Sequence, residues 1–340
     1  MQSSSSVHIV THLNPDYDAY ASITFMFALL KKNFPNKKIT MSVETESIND
    51  LLDFLPHLKE ISLMPLVKAL EAEKPDFLII VDASSIPRVS KNPDLVRSLI
   101  TNCKTAMFDH HPLEETNFDI FENHNRYAAV EVIYSYALKQ GLALPEKWEE
   151  YYLTGFIGDS YRFYYQYPSY RESFEAISII LDHGYTIREY SDKLYGYTPK
   201  DLTVFKLLLN HLTYKDKYSI TYITWEEYFA EIDNKLSESE FKKARRYFID
   251  EIMTKTYSVD FAVFIVPDDT YKDGKTYSGS IRSKDGTIDC TIIARYLNGG
   301  GHTTGSGFTV VASSMTEALE ITQKILAEHS EEARIQKSIL

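Results

Sequence analysis

Apolar and polar positions alternate along the first half of the chain in two rhythms. Val7-His8-Ile9-Val10 is a short apolar run, the length of a buried strand, and residues 19–30 that follow are apolar for long enough to make a helix. Residues 38–43 predict a second strand. Phe77-Leu78-Ile79-Ile80-Val81 is apolar without interruption, as expected of a parallel strand covered on both faces, and residues 104–108 predict another strand. Helical stretches at 65–73, with proline in the first turn, and at 92–100 lie among them. This βαβ rhythm predicts a doubly wound, mostly parallel sheet. Residues 127–140, 144–157 and 170–182 read as consecutive helices, and Gly184 follows the last like a C-cap. A more polar, Tyr- and Lys-rich stretch, 187–217, reads as a helical connector. A second rhythm follows, with strands at 219–224, 261–266 and 277–282 and helices at 238–254, 289–297 and 315–329. The expectation is an α/β protein with an N-terminal domain over 1–186, a connector over 187–217 and a smaller C-terminal α/β domain over 218–340.

Composition narrows the function classes. The net charge of −12 and the absence of a basic stripe argue against a grip on long or duplex nucleic acid. A polyanionic ligand would be small, or held locally by metals and a few arginines. The 25 tyrosines are mostly packing residues, and exposed ones would suit base stacking. The serine-rich start has no basic segment or long apolar core, so no signal peptide is expected. The longest apolar run, near 25–30, is too short for a bilayer span. The expected location is cytoplasmic, with no membrane partner. Cys103 and Cys290 lie far apart with no C-x-x-C pairing and are read as buried thiols.

The chemistry concentrates where predicted strands end. His12, Asp16 and Asp18 fall on the turn between the first strand and the first helix, the carboxyl edge at which open α/β sheets bind ligands. An ordinary turn, with Asp18 capping the helix, is the alternative for these three alone. Asp82 directly follows 77–81, Asp109-His110-His111 ends 104–108, and Asp159 closes Thr154-Gly155-Phe156-Ile157-Gly158. Carboxylates gathered on one edge repel one another. Two divalent cations resolve that repulsion: Asp16, Asp18, Asp82 and Asp159 offset four positive charges, with His12 and His110 as neutral ligands. One carboxylate must bridge, and Asp82, from a central strand, is the candidate.

These residues resemble the four motifs of the DHH phosphoesterase superfamily: His12-x-Asn14-Pro15-Asp16-x-Asp18-Ala19, Asp82, Asp109-His110-His111 and Asp159-Ser160-x-Arg162. In the second half, Ser280-Ile281-Arg282-Ser283 and Asn298-Gly299-Gly300-Gly301-His302 look like the DHH-associated domain and its glycine-rich loop. The two-domain length is most similar to the bifunctional oligoribonuclease (nanoRNase) and pAp phosphatase group. The resemblance implies one metal site from His12, Asp16 and Asp82 and a second from Asp18, Asp82, His110 and Asp159. It implies that Asp109 orients an imidazole and that His111 faces the substrate as a donor or general acid. Arg282, Ser283, Gly299, Gly300, Gly301 and His302, with Arg162, would hold the nucleotide phosphate across a cleft. The chain departs from the family pattern in three places: Tyr17 stands where glycine is usual, Gly158 where threonine is usual, and Thr303-Thr304-Gly305-Ser306-Gly307 after His302 differs from the commoner versions. Tyr17 is expected to crowd or line the mouth of the site.

The implied activity is hydrolysis of short single-stranded oligonucleotides and of 3′-phosphoadenosine 5′-phosphate by a hydroxide activated between two cations. Mixed imidazole and carboxylate shells favour Mn²⁺, with Mg²⁺ as a competitor. Backbone N–H groups at Gly299-Gly300-Gly301 would approach phosphate closely. The rival readings are a phosphodiesterase of cyclic or linear dinucleotides (c-di-AMP, pApA), an inorganic pyrophosphatase and an inactive nucleotide sensor. A NAD-type Rossmann enzyme lacks its G-x-G-x-x-G here. The reading leaves a homodimer open.

Overall fold

In the computed structural model, which describes residues 4–45, 48, 52–112, 114–163 and 171–335, the chain divides into two units, Met1–Gly196 and Tyr197–Leu340. The start of the serine-rich stretch, as far as Ser3, and the first residue of the helix expected at 170–182 lie outside the described residues.

The first unit runs β1 (Ser6–Val10), α1 (Tyr17–Asn33), β2 (Lys38–Val43), β3 (Ser62–Leu63), α2 (Leu66–Glu73), β4 (Phe77–Val81), α3 (Ile86–Val89), α4 (Pro93–Leu99), β5 (Lys104–Asp109), β6 (Ile120–Asn123), α5 (Ala129–Lys139), α6 (Trp148–Ser160), α7 (Arg171–Asp182) and α8 (Ile187–Tyr195). Its six strands are all parallel, in the order β3-β2-β1-β4-β5-β6. The uninterrupted apolar run of β4 is explained by this sheet. Phe77, Ile79 and Val81 join the core under α1, α5 and α6, while Leu78 and Ile80 face the opposite core with Leu66, Leu70 and Val96 of α2 and α4. The order reverses at β1: β2 lies on one side and β4 on the other, and α1 and α2 cover opposite faces. Such a switch point opens a crevice at the carboxyl ends of the two central strands.

The second unit runs α9 (Pro199–Asn210), β7 (Thr213–Lys215), β8 (Tyr218–Tyr222), α10 (Trp225–Glu231), α11 (Glu238–Phe248), β9 (Phe261–Pro267), β10 (Thr276–Ser283), α12 (Cys290–Tyr296), β11 (Gly300–His302), β12 (Gly305–Val311) and α13 (Met315–His329). Its sheet has the order β11-β12-β10-β9-β8-β7 and is antiparallel except for β8 against β9. Alternate residues of β9 again fill two cores, Val263 and Ile265 on one face and Phe264 and Val266 on the other.

The polar stretch 187–217 contributes to both units. α8 packs on α6 of the first, α9 packs on α11 of the second, and its last residues form β7, paired with β8. Two expectations need correction. Residues 238–254 are not one α-helix, because α11 loosens into a π-helical turn over Ile249–Met253. Cys103 is only partly buried, whereas Cys290 is buried.

Candidate metal centre

Three strand ends and one helix end build the centre. The chain leaves β1 through a turn with Asn14 in the left-handed region (φ 53°), pinned where Leu13 N–H donates to the Arg88 carbonyl at 2.8 Å. Asp16, and not Asp18, caps α1, accepting the Ala19 N–H at 3.1 Å. Asp18 sits fully buried in the first turn of α1 and reaches the start of α5. There it accepts the N–H groups of Ala129 (2.5 Å) and Val130 (3.3 Å), besides the Ser22 hydroxyl at 3.2 Å. Gly155 of α6 makes that reach possible, since a Cβ there would lie 2.2 Å from Asp18 Oδ1. Asp82 turns out of β4 at φ 53°, with its N–H donated to the Phe108 carbonyl at 2.9 Å. Asp159 comes from the last turn of α6 rather than from a strand end, and α6 brings it in by packing along α1.

The imidazoles have defined tautomers. His12 Nδ1–H donates to the Leu13 carbonyl at 2.8 Å and His110 Nδ1–H to the Arg126 carbonyl at 3.2 Å. Each ring therefore turns Nε2 toward carboxylates. His12 Nε2 lies 3.8 Å from Asp16 and 3.5 Å from Asp82. His110 Nε2 lies 3.1 Å from Asp159, 3.4 Å from Asp82 and 3.9 Å from Asp18. His111 differs: its Nδ1–H donates to Asp109 Oδ1 at 2.8 Å, and Asn123 Nδ2 braces the same corner through the His111 carbonyl at 3.0 Å.

The ligand atoms fall into sets within 4.8 Å of one another: His12, Asp16 and Asp82; Asp18, Asp82, His110 and Asp159; and Asp82, Asp109, His110 and His111. Asp82 belongs to all three. Both of its carboxylate oxygens, and His110 Nε2, are buried without a hydrogen bond among the described residues. Orphaned buried charges are costly, and imidazole nitrogen with carboxylate oxygen is a donor set for a divalent cation, so these residues fit one. Electrostatics agree. Burial, then the charges of Asp82 and Asp159, hold the Asp18 carboxyl well above its usual range, and burial pushes Asp159 up to about 7 against the influence of His110. Burial disfavours charge on His12, but Asp16 and Asp82 outweigh it and push the imidazole up to about 11. His110 is likewise held well above its usual value by Asp159 and Asp82 against burial.

The remaining expected residues lie elsewhere. Arg162 follows Asp159 in a run of left-handed residues, Tyr161, Arg162 and Phe163 (φ 50°, 60° and 67°), with its guanidinium over the rings of Tyr195 (4.6 Å) and Tyr161 (5.3 Å). Tyr17 turns its hydroxyl to the Leu194 carbonyl of α8 at 2.9 Å. In the second unit, Arg282 of β10 donates from Nη1 to Ser280 Oγ (2.8 Å) and the Ile281 carbonyl (3.1 Å). Its Nε is 3.3 Å from Asp250 Oδ1, a carboxylate supplied by the π-helical turn. Gly305 lies opposite it in register, where a Cβ would come within 2.8 Å of Nη1. The Ser283 hydroxyl accepts the Ile288 N–H at 3.0 Å. The expected glycine loop is largely a hairpin: Gly300, Gly301 and His302 form the exposed edge strand β11 against β12. Glycine is needed for that approach, since a Cβ on Gly299 would lie 2.1 Å from the Gly307 carbonyl. As an edge strand, β11 still presents outward backbone groups. Gly155, Tyr195, Asp250 and Gly305 escaped the sequence reading, because each acts through a neighbour distant in the chain.

Residues 6–156 match the DHH family, N-terminal domain. The chain is 25% identical over 304 residues to the bifunctional oligoribonuclease and PAP phosphatase NrnA of Mycoplasma genitalium, covering 88% of this chain and 86% of that protein. It is 26% identical over 161 residues to the probable bifunctional oligoribonuclease and PAP phosphatase NrnA of Streptococcus mutans. That match is 47% of each chain, so it spans about half of that relative's length. An exopolyphosphatase-related protein from Bacteroides fragilis, solved by crystallography, shares the fold: TM-score 0.73 at 23% identity, over 97% of this chain and 94% of that one. The stretch that matches the DHH family, N-terminal domain, is thus the one that carries His12, Asp16, Asp18, Asp82, Asp109, His110 and His111.

Proposed function

We propose that this chain is a metal-dependent phosphoesterase that hydrolyses short oligonucleotides and 3′-phosphoadenosine 5′-phosphate. The observation that carries the reading is the Asp82 carboxylate, buried, without a hydrogen bond among the described residues and common to every ligand set. The names of the Mycoplasma and Streptococcus relatives support the substrate class. His12, Asp16 and Asp82 would hold one divalent cation, and Asp18, Asp82, His110 and Asp159 a second, with Mn²⁺ favoured by the mixed nitrogen and oxygen donors. Bound there, the cations supply Lewis acidity toward phosphoryl oxygens and lower the pKa of water. The side chains do the rest. Asp109 fixes the His111 ring by accepting Nδ1–H and leaves Nε2 for the substrate, where it would act as a hydrogen-bond donor or general acid. Arg282, Ser283, the Gly299–His302 segment and Arg162 would bind nucleotide phosphate, with Arg282 preset by Asp250 and Ser280.

End-labelled RNAs of two to five nucleotides, incubated with Mn²⁺ beside pAp, c-di-AMP, pApA and pyrophosphate, test this reading. Shortening of the RNAs and release of phosphate from pAp are expected, and both should be lost in Asp82→Ala together with bound Mn²⁺. Turnover of pyrophosphate alone, or full activity in Asp82→Ala, would refute the reading.

A further inference from the structure

Two of the departures from the family pattern touch each other. Tyr17 and Gly158 lie on different helices, at the start of α1 and in the last turn of α6, and a Cβ on Gly158 would sit 2.7 Å from Tyr17 Cβ and 3.5 Å from its ring. No side chain of any size fits at 158 while residue 17 has a Cβ. The tyrosine is also tied at its far end. Its hydroxyl donates to the Leu194 carbonyl at 2.9 Å, and its ring meets Tyr195 edge-on, with centroids 5.7 Å apart. Tyr195 closes the circuit, because its hydroxyl donates back to the Gly158 carbonyl at 2.8 Å. The next ring, Tyr161, packs edge-on against Tyr195 at 5.3 Å.

Three separate segments are thereby locked together: the Asp16-Tyr17-Asp18 turn, the Gly158-Asp159 end of α6, and the last turn of α8. Each of the first two carries candidate cation ligands immediately beside the locked residue. The third ends at Gly196, where the first unit ends. We infer that Tyr17, Gly158 and Tyr195 form a brace that sets the spacing of Asp16, Asp18 and Asp159 and so tunes cation affinity; Tyr17 is a positioning residue, not one that lines the site mouth. This rests on the cation-binding reading above. In the brace, residues 17 and 158 are one determinant: a bulky residue at one demands glycine at the other. Its physical basis is steric, since packed side chains give way only by shifting the segments that carry them. A shift of a few tenths of an ångström in a ligand-bearing turn is felt directly by the cation, whose ligands must stay at fixed distances.

The test is a cycle on the full chain with Tyr17→Phe, Tyr17→Gly, Gly158→Ala and the double variant Tyr17→Gly/Gly158→Ala. Mn²⁺ stoichiometry and affinity are read by calorimetry, with thermal unfolding and KM against kcat alongside. Gly158→Ala should weaken Mn²⁺ binding about 10- to 100-fold, the range typical of lost support to metal ligands. Tyr17→Phe, which frees the Leu194 carbonyl but keeps the ring, should weaken it by less. The double variant should bind better than Gly158→Ala alone, because glycine at 17 removes the clashing Cβ; such rescue is non-additivity that mere packing loss at two independent sites does not produce. Losses that simply multiply, or Mn²⁺ binding untouched in every variant while the wild type binds normally, would overturn the brace alone. If Gly158→Ala does not fold, Tyr17→Phe with unaltered affinity overturns it equally. A wild-type chain that takes up no Mn²⁺ overturns the functional reading and the brace's role with it.

Discussion

Loading the centre with cations should expel protons, and their number follows from the geometry. Asp16, Asp18, Asp82 and Asp159 crowd around two imidazoles, so without cations the cluster neutralises itself by holding protons. His12, pushed up to about 11, and His110, held well above its usual value, both carry the extra proton at pH 7; Asp159, near 7, is half protonated, and Asp18 is raised as well. A cation needs neutral imidazole nitrogen and ionised carboxylate, so about 2–3 protons should leave on binding at pH 7. The sign is fixed: protons compete with the cation, and affinity falls as pH falls. Each released proton is worth tenfold, or about 1.4 kcal/mol, per pH unit. Between pH 7 and pH 6, Mn²⁺ affinity should therefore drop by about 100-fold or more, ~2.7 kcal/mol. Titration calorimetry in Pipes, Mops and Tris checks this, because the slope of observed heat against buffer ionisation enthalpy counts the protons. Replacing His12 with Gln should lower the count by about one. A slope of zero, or an affinity indifferent to pH, would refute the placement of these groups around a cation.

Other expectations are separable. Asp109→Asn should lower kcat by about 10²–10⁴ through the His111 ring, the usual range for a general acid, and leave Mn²⁺ stoichiometry intact; loss of a bound ion would instead make Asp109 a ligand. Arg282→Lys should raise KM for pAp about tenfold without changing bound Mn²⁺, because an ammonium cannot replace a guanidinium preset by Asp250 and Ser280; an unchanged KM would move the phosphate elsewhere. His8, buried between the hydroxyls of Thr40 and Ser42 at 2.8 Å each, is pulled by burial down to about 4, so the folded protein keeps it neutral while the unfolded chain protonates near 6.5. Its contribution is complete above pH 6.5 and is lost as pH falls toward 4, about 3 kcal/mol in all. Urea unfolding at pH 7 and pH 4.5 should show this loss shrinking in His8→Gln, and identical pH dependence in the two proteins would exclude it.

Much of the centre was legible because its parts are local. Each strand ends in its own chemistry: His12 after β1, Asp82 after β4 and the Asp109-His110-His111 triplet at the end of β5. Parallel strands align their carboxyl ends, so residues at strand ends meet once the sheet is recognised, and the apolar runs announce the sheet. The same holds for α13, whose bounds at Met315 and His329 coincide with the apolar periodicity.

Where packing chooses among partners, local pattern did not decide. It offered Asp18 as the helix cap, yet Asp16 caps the helix while Asp18 crosses to the N-terminus of α5, because Gly155 leaves room for it. The arrival of Asp159 depends on α6 packing along α1, and the destination of the Tyr17 ring depends on α8, nearly 180 residues further on. The glycines near 300 read as a loop, and only the register with β12, which pairs Gly300 with Gly307, makes them an edge strand. Asp250 reaches Arg282 only because α11 widens into a π-helical turn. Alternating hydrophobicity and strand-end residues are one-dimensional signals, written into neighbouring positions. Strand order, helix crossings and the space left by a missing Cβ arise from contacts between remote segments, and those contacts settle which carboxylates come together with the imidazoles.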